Sequence, residues 1–364
     1  MAQVAQVKRV FAGSNTGVGF HSFFHHIAGP EIEHVHVIKG GPGTGKSTLM
    51  SYMAEKSISR GFSVELHHCS SDIKSLDGLV IPALKVAFID GTKPHMYDPR
   101  LPGALDEIVN LGEYWDAAGI QRHKQEIMAA NIEGNRLFNS AYRYLGAARK
   151  VHENWADKVS MMQDWGWVNQ RSKELCKSIM GQRPVASQPG RERHLFASAF
   201  TPEGPKSYVE TVAALATIVI IIKGQPGTGK STLLSKVAGV AKEEGYLAEI
   251  YHSPIDPMKL QHVLLPELGV FVGTSTELFP FTPARDWETV NLDYGLNPER
   301  TNYHRSELET DRQTFLQLLN TGIGLIKKAR ETHMAVEGFY VANMNFTALD
   351  GLKEKLEQEV FAKL

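Results

Sequence analysis

Two nine-residue stretches of this chain could do the same chemistry: each is a glycine-rich turn ending in a lysine and two hydroxyl residues. The first is Gly40, Gly41, Pro42, Gly43, Thr44, Gly45, Lys46, Ser47 and Thr48. The second is Gly224, Gln225, Pro226, Gly227, Thr228, Gly229, Lys230, Ser231 and Thr232. Both fit G-x-x-x-x-G-K-[ST], follow a β-branched run (Val35 to Ile38; Ile218 to Ile222) and precede an apolar helical pattern. That setting separates a phosphate-binding loop from a chance run of glycines. Glycines let successive N–H groups turn toward one anion, and the helix that follows adds its positive N-terminal end. Lys46 and Lys230 are then expected to reach the β- and γ-phosphates, and the hydroxyls of Ser47 and Ser231 to ligate Mg2+. The ligand class implied is a nucleoside triphosphate with Mg2+.

Phosphoryl chemistry also needs a carboxylate to hold the metal or its water, usually at the end of an apolar strand. VAFID, Val86 to Asp90, offers Asp90, although Asp90-Gly91 is also good turn chemistry. The matching run in the second half is VFVGT, with Thr274 in the place of the acid. A hydroxyl is a poorer magnesium partner than a carboxylate. The second copy is therefore expected to bind nucleotide and to turn it over slowly or not at all. Asp72 and Asp256 recur just past the second strand of each half, where an acid could serve as base or metal-shell ligand, or cap a following short helix. The expected catalytic set is Lys46, Asp90, Asp72, Lys230 and Asp256, with Ser47, Asp90 and Ser231 toward the metal.

Histidines cluster at His21, His25, His26, His34, His36, His67 and His68. His34 and His36 share one face of a strand and could contribute to a metal site, but no further ligand stands at recognisable spacing, so structural or surface histidines are the expectation. His152 and His333 are matched between the halves and suit a functional or a helix-packing role equally. Arg9, Arg100, Arg193, Arg300 and Arg305 are all candidates for a finger toward phosphate, and sequence does not choose among them.

These residues belong to a repeat. Lys46 and Lys230 are 184 residues apart, and the same offset pairs Gly61 with Gly245, Glu65 with Glu249, His68 with His252, Asp72 with Asp256, Leu76 with Leu260 and Pro82 with Pro266. One residue of slippage upstream pairs Phe11-Ala12 with Phe196-Ala197, Thr16 with Thr201, Gly19 with Gly204 and Ser22 with Ser207. A shorter offset downstream pairs His152 with His333 and Asp164-Trp165 with Asn345-Phe346. Convergence on one loop does not leave such a trail, so the chain reads as a tandem duplication of a P-loop module. Gly181 to Glu192, polar and rich in Gly and Pro, marks the joint. The division is residues 1–182 and 193–364, each a module with a helical tail, around a linker at 183–192.

Each module is expected to open with a short strand (Val10 to Ala12; Leu195 to Ala197), then a polar turn and a helix leading into the loop strand. After the loop helix come strands at Ser63 to His68 and Val86 to Ile89, or Leu247 to His252 and Val270 to Val272. Long helical tails follow, Leu105 to Met180 and Glu307 to Leu364, packing on the sheet or on the other module. This alternation predicts an α/β fold with a three-layer, mainly parallel sheet and ligand at the carboxyl ends of its strands.

The 364 residues suffice for two cores, and 42% hydrophobic with 22% charged residues is a soluble composition. A net charge of −1 gives no footprint for nucleic acid. Two cysteines fit a reducing compartment, the N-terminal residues lack the pattern of a secretory leader, and the apolar run Leu215 to Ile222 is too short for a bilayer, so a cytoplasmic protein without membrane contact is expected. With no N-K-x-D guanine motif, ATP is favoured over GTP; no LSGGQ and no protein-kinase motif set appear.

The chain resembles a family of tandem P-loop ATPase-like proteins of spore-forming bacteria. The resemblance covers the whole chain and rests on FAGSNTGVGFHSF and FASAFTPEGPKSY, both glycine-rich loops, HHCSSDIKSLDGLVIPALKVAFIDGTKPHMYDP, and YHSPIDPMKLQHVLLPEL. Members are labelled ATP-binding or nucleotide-kinase-like, so the resemblance implies the P-loop NTPase fold and ATP binding and no particular substrate. Three activities compete: an ATPase with an active first module and a regulatory second, a small-molecule or nucleotide kinase, and a non-hydrolysing ATP-dependent switch. A protein partner or a homo-oligomer is compatible with each.

Overall fold

The computed structural model describes residues 5–93, 97–181, 183–284 and 286–362; residue 182 beside the linker, residues 94–96 of the KPHMYDP stretch and the end of the second tail lie outside the described residues. The first half runs β1 (Val7–Val10), β2 (Gly13–Thr16), β3 (Gly19–Ser22), β4 (His34–Lys39), α1 (Lys46–Ser59), β5 (Val64–Cys69), β6 (Asp72–Ile81), β7 (Val86–Asp90) and β8 (Asp106–Asn110). Its helices are α2 (Ala117–Arg122), α3 (Lys124–Ser160) and α4 (Trp165–Met180). The second half runs β9 (Arg191–Leu195), β10 (Ser198–Thr201), β11 (Gly204–Ser207), α5 (Val209–Ala213), β12 (Ile218–Lys223), α6 (Lys230–Glu243), β13 (Leu247–His252), β14 (Leu260–Leu265), β15 (Val270–Thr274) and β16 (Glu288–Asn291). It ends in α7 (Pro298–Tyr303), α8 (Arg305–Val341) and α9 (Phe346–Phe361).

The fold is mixed α/β. One six-stranded sheet has the order β1-β5-β6-β7-β4-β8; the other, read in the same sense, is β9-β13-β14-β15-β12-β16. In both, the pairings at the two ends and beside the loop strand are parallel (β1–β5, β7–β4, β4–β8), and the two around β6 or β14 are antiparallel. The sheets are thus mostly but not wholly parallel. A smaller sheet, β11-β10-β2-β3, accounts for the residues around Thr16 and Thr201.

Three expectations need correction. The segment after Asp72 is not a short helix but β6, because a tight turn at Ser70-Ser71 reverses the chain and the apolar half of DIKSLDGLVI is buried between β5 and β7. The helical pattern placed from Leu105 onward begins only at Ala117, where the Asp116 side chain accepts the Ala118 N–H; β8 precedes it. Finally, a helix leading into the first loop strand is replaced by a single turn, Phe24–His26, and the face of the sheet formed by Val35, Val37, Val80 and Ile89 is covered by Phe24, Ile27, Ala28 and Ile32 from that irregular segment. Gly29-Pro30 stops a helix from running on toward β4.

The compact units follow a different division from the sequence repeats. One contains Ser22–Ser140 with the described residues up to Gly13 and from Gly324 on; the other contains the described residues of Ser14–His21 and Ala141–Ile323. Helices α3 and α8 therefore begin in one unit and end in the other, and each repeat's last helices belong to the unit that holds the other repeat's sheet. In the first unit Leu349, Leu356 and Val360 of α9 are buried with Leu49, Met50 and Met53 of α1. Glu357 clasps α1 through Lys56 at 3.3 Å, Arg60 at 2.7 Å and the Tyr52 hydroxyl. In the second unit Leu175, Ile179 and Met180 of α4 are buried with Leu233, Leu234 and Val237 of α6. Each buried leucine contributes roughly 1.5–3 kcal/mol, so these are full members of the cores. No helix among the described residues is long and apolar enough to cross a membrane.

Candidate functional site

The two glycine-rich loops take up one backbone design. Gly43 and Gly45 (φ 69° and 96°) and Gly227 and Gly229 (φ 86° and 98°) occupy the left-handed region that other residues enter only under strain. Gly45 and Gly229 stand at the N-caps of α1 and α6 with no side chain capping them. The first N–H groups of each 14-residue helix are thereby left for an external acceptor, which is how a helix start receives an anion. Thr44 and Thr228 lock the turn by donating their hydroxyls to Gly41 O and Gln225 O, both at 2.8 Å. The lysines are folded onto the loop: Lys46 Nζ donates to Gly41 O at 2.8 Å, and Lys230 Nζ to Gly224 O and Gln225 O at 2.6 Å. Ser47 Oγ accepts the Leu76 N–H at 2.9 Å and Ser231 Oγ the Leu260 N–H at 3.0 Å, so β6 and β14 set the orientation of both hydroxyls.

The units diverge in their acids. Asp90 is buried at the end of β7, 3.7 Å from Lys46 Nζ, and accepts from the Thr92 N–H and hydroxyl. Burial raises its pKa above the ordinary carboxylate value, and the charge of Lys46 works in the opposite direction. A second carboxyl that sequence reasoning missed, Asp77 of β6, is pushed well above the ordinary range by burial and then by Asp90 itself, while a Cys69 hydrogen bond opposes this. Two neighbouring buried carboxyls cannot both ionise easily, and both are shifted toward the protonated form, Asp77 the more deeply buried of the two. At the same 184-residue offset the second unit carries Gln261 and Thr274, both buried and both neutral. The second site holds neither acid.

Helices from the other repeat close each site. In the first unit Arg330 of α8 donates to Asp72 at 2.6 Å and to Glu337 at 3.0 Å, and His333 Nε2 lies 3.6 Å from Glu337. A Cβ added to Gly45 would meet Leu349 at 2.8 Å, and one added to Gly41 would strike the Tyr340 ring. In the second unit Arg149 of α3 lies 3.8 Å from Asp256, and a Cβ on Gly229 would meet Trp165 at 3.0 Å and Val168 at 3.1 Å. Arg149 and Arg330 are spaced as His152 and His333 are. Asp72 and Asp256 thus cap no helix; each receives an arginine. Of the arginines proposed from sequence, Arg9 bonds His68 at 3.1 Å, Arg193 bonds Glu249 at 3.1 Å, and Arg100 sits over the Tyr97 ring, while Arg300 reaches the Met161 carbonyl at 3.5 Å. None of these is a contact to the loops. The spacing match between Arg149 and Arg330 was the only signal available.

The second unit encloses a cavity of about 680 Å3 between its loop and α3, lined by Arg149, His152, Trp165, Lys230, Asp256 and Phe315 among others. That volume suits a nucleotide-sized ligand. His152 is held in the neutral form, its pKa pushed down to about 4 mainly by burial, and packs on Trp155 and Phe315. Here Asp293 intrudes: its Oδ1 accepts the Gln225 N–H at 2.8 Å, where an anion would want that donor. Asp293→Asn keeps the hydrogen bond and removes the charge. It is expected to tighten ATP binding at this unit on the order of tenfold, about 1.4 kcal/mol, in calorimetric titration; unchanged affinity would show that the carboxylate does not face the phosphates.

Burial also lowers Lys230 to about 8, an effect that the nearby Asp293 opposes. A bound triphosphate favours the charged amine, so above pH 8 binding must take up a proton, and affinity falls as pH rises through 8 toward 9. Titrating the Lys46→Ala protein at pH 8.5 in buffers of different ionisation heat measures that uptake directly. A heat independent of buffer would contradict it. The chain matches no protein-family model, no curated protein and no solved structure at a significant level.

Proposed function

We propose that this chain is a tandem P-loop protein of two nucleoside-triphosphate sites, with ATP hydrolysis at the first unit and binding without efficient turnover at the second. The donor sets support the ligand: left-handed glycines, uncapped helix starts, an inward lysine and a backbone-oriented serine occur in both units. Gly40 to Thr48 and Gly224 to Thr232 would hold the phosphates, and Ser47 with Asp90 would hold Mg2+. When bound, Mg2+ supplies positive charge against the β- and γ-oxygens. What the protein adds at the first unit is Lys46 for the terminal phosphate, Asp90 to orient the metal's water, and a protonated Asp77 that keeps a second negative charge away.

The observation that carries this reading is the Lys46–Asp90 pair at 3.7 Å beneath a glycine cradle, set against Thr274 at the matching place in the other unit. Cytoplasmic location, and the relation to ATPase-like proteins of spore-formers, belong to the same proposal. The test is ATP-binding stoichiometry and phosphate release with Mg2+ for the native chain, Lys46→Ala and Lys230→Ala. Two ATP bound, with release lost only in Lys46→Ala, is the expected result. Binding without release in the native chain would overturn the hydrolase reading and direct attention to phosphoryl acceptors.

A further inference from the structure

Far from the phosphate end of the first sheet, β4 and β8 bring three metal-ligating side chains together. His34 and His36 alternate onto one face of β4, as residues two apart on a strand must. Glu107 of β8 is in register with His36, and its Oε2 lies 3.5 Å from His36 Nδ1 and 3.8 Å from His34 Nε2. One ligand atom from each of the three lies within 4.8 Å of the others. Ligands about 2.1 Å from a tetrahedral Zn2+ stand about 3.4 Å apart, so only a small adjustment separates this arrangement from a coordination sphere. The His36 ring is buried and stacked on Phe88 at 4.5 Å, which fixes its plane, while His34 and Glu107 are half-exposed and leave a path to solvent. The strand itself is anchored: Asp106, next to Glu107, accepts the N–H groups of Arg100 and Leu101 at 2.8 and 2.7 Å.

We propose that His34, His36 and Glu107 form a divalent transition-metal site, best suited to Zn2+, that clips the edge strand β8 to the loop strand β4. Two imidazoles and one carboxylate with a fourth position open to water is a zinc donor set. The site is independent of the nucleotide proposal: His36 precedes Gly40 by four residues, about 13 Å along an extended strand, too far to contact phosphate-bound Mg2+. The second unit supplies an internal comparison. Ile218 and Ile220 stand where His34 and His36 do, and Ile220 pairs with Glu288 in the same register. The glutamate is present there without imidazoles.

The experiment is Zn2+ titration of the chelator-treated full-length protein against a chromophoric competitor, repeated with Co2+ to read the visible bands of a tetrahedral site. The native chain should bind one equivalent that His34→Ala and Glu107→Gln each weaken at least tenfold and His36→Ala weakens at least a hundredfold, with Glu288→Gln unchanged. Should His36→Ala fail to fold, His34→Ala, at a half-exposed position, carries the test. Equal binding by the native and His34→Ala chains would assign the metal to other histidines, such as the adjacent His25 and His26, and overturn the proposal. Absence of binding would do so as well.

Discussion

Asp90→Asn is expected to reduce phosphate release about a thousandfold while ATP still binds with nearly native affinity. The expected size reflects the several kcal/mol by which a correctly held metal stabilises transferring phosphoryl oxygens. Asparagine fills the same space and can still accept from Thr92, so the fold has little reason to respond. What it removes is the carboxylate 3.7 Å from Lys46 Nζ. Asp77→Asn provides the contrast. Burial and then the neighbouring Asp90 push the Asp77 carboxyl toward its protonated form, and asparagine resembles a protonated carboxyl closely. That substitution should cost no more than about fivefold. Steady-state phosphate release with saturating ATP and Mg2+ compares the two; equal losses would refute the division of labour between the acids.

Arg330→Ala is the second variant with a large expected effect: release falls about a thousandfold, as when an arginine finger is withdrawn, and ATP affinity changes less than tenfold. The guanidinium is held by Asp72 on one side and Glu337 on the other, a fork geometry that fixes its plane beside the first loop. The neighbouring His333 lies 3.6 Å from Glu337, and its pKa, lowered from the ordinary imidazole value chiefly by burial, responds to Glu337, Arg330 and Lys46, which places all four groups in one field. Lysine offers a point charge without the fork, so Arg330→Lys should recover little. Arg149→Ala, the same change at the second unit, should leave release nearly native. If Arg330→Ala retained native turnover, the arginine would be a strut for Asp72 and no more. Equal damage from Arg149→Ala would mean that the second site also turns over.

The loops were legible because a glycine-rich turn between a strand and a helix is a local object: Gly45 and Gly229 need only their own backbone to be recognised. Asp90 was legible for the same reason, as the last residue of a short apolar strand. β6 was not, because DIKSLDGLVI begins in polar residues and its strand character is supplied by the neighbours on either side. Asp77 was hidden inside that misread segment. Arg330 meets Asp72 across 258 residues of sequence, and no periodicity or motif specifies such a pairing. The helical tails were recognised as tails, but their destination depends on which core accepts Leu349 or Leu175, a matter of packing that hydrophobic pattern alone does not address. Glu107 likewise joins His34 and His36 through strand register, and no fixed spacing announces it.

The exchange of helices sets an order on synthesis. A ribosome emits the second unit's residues as one nearly unbroken run, Ala141–Ile323, so that unit can finish folding while the chain is still growing. The first unit is started earlier and completed last, since Leu349, Leu356 and Val360 emerge only with the final helix. Until then the α1 face that α9 will cover stays bare. A chain interrupted after Val341 would hold the long segment of the second unit whole and leave the α1 face of the first uncovered.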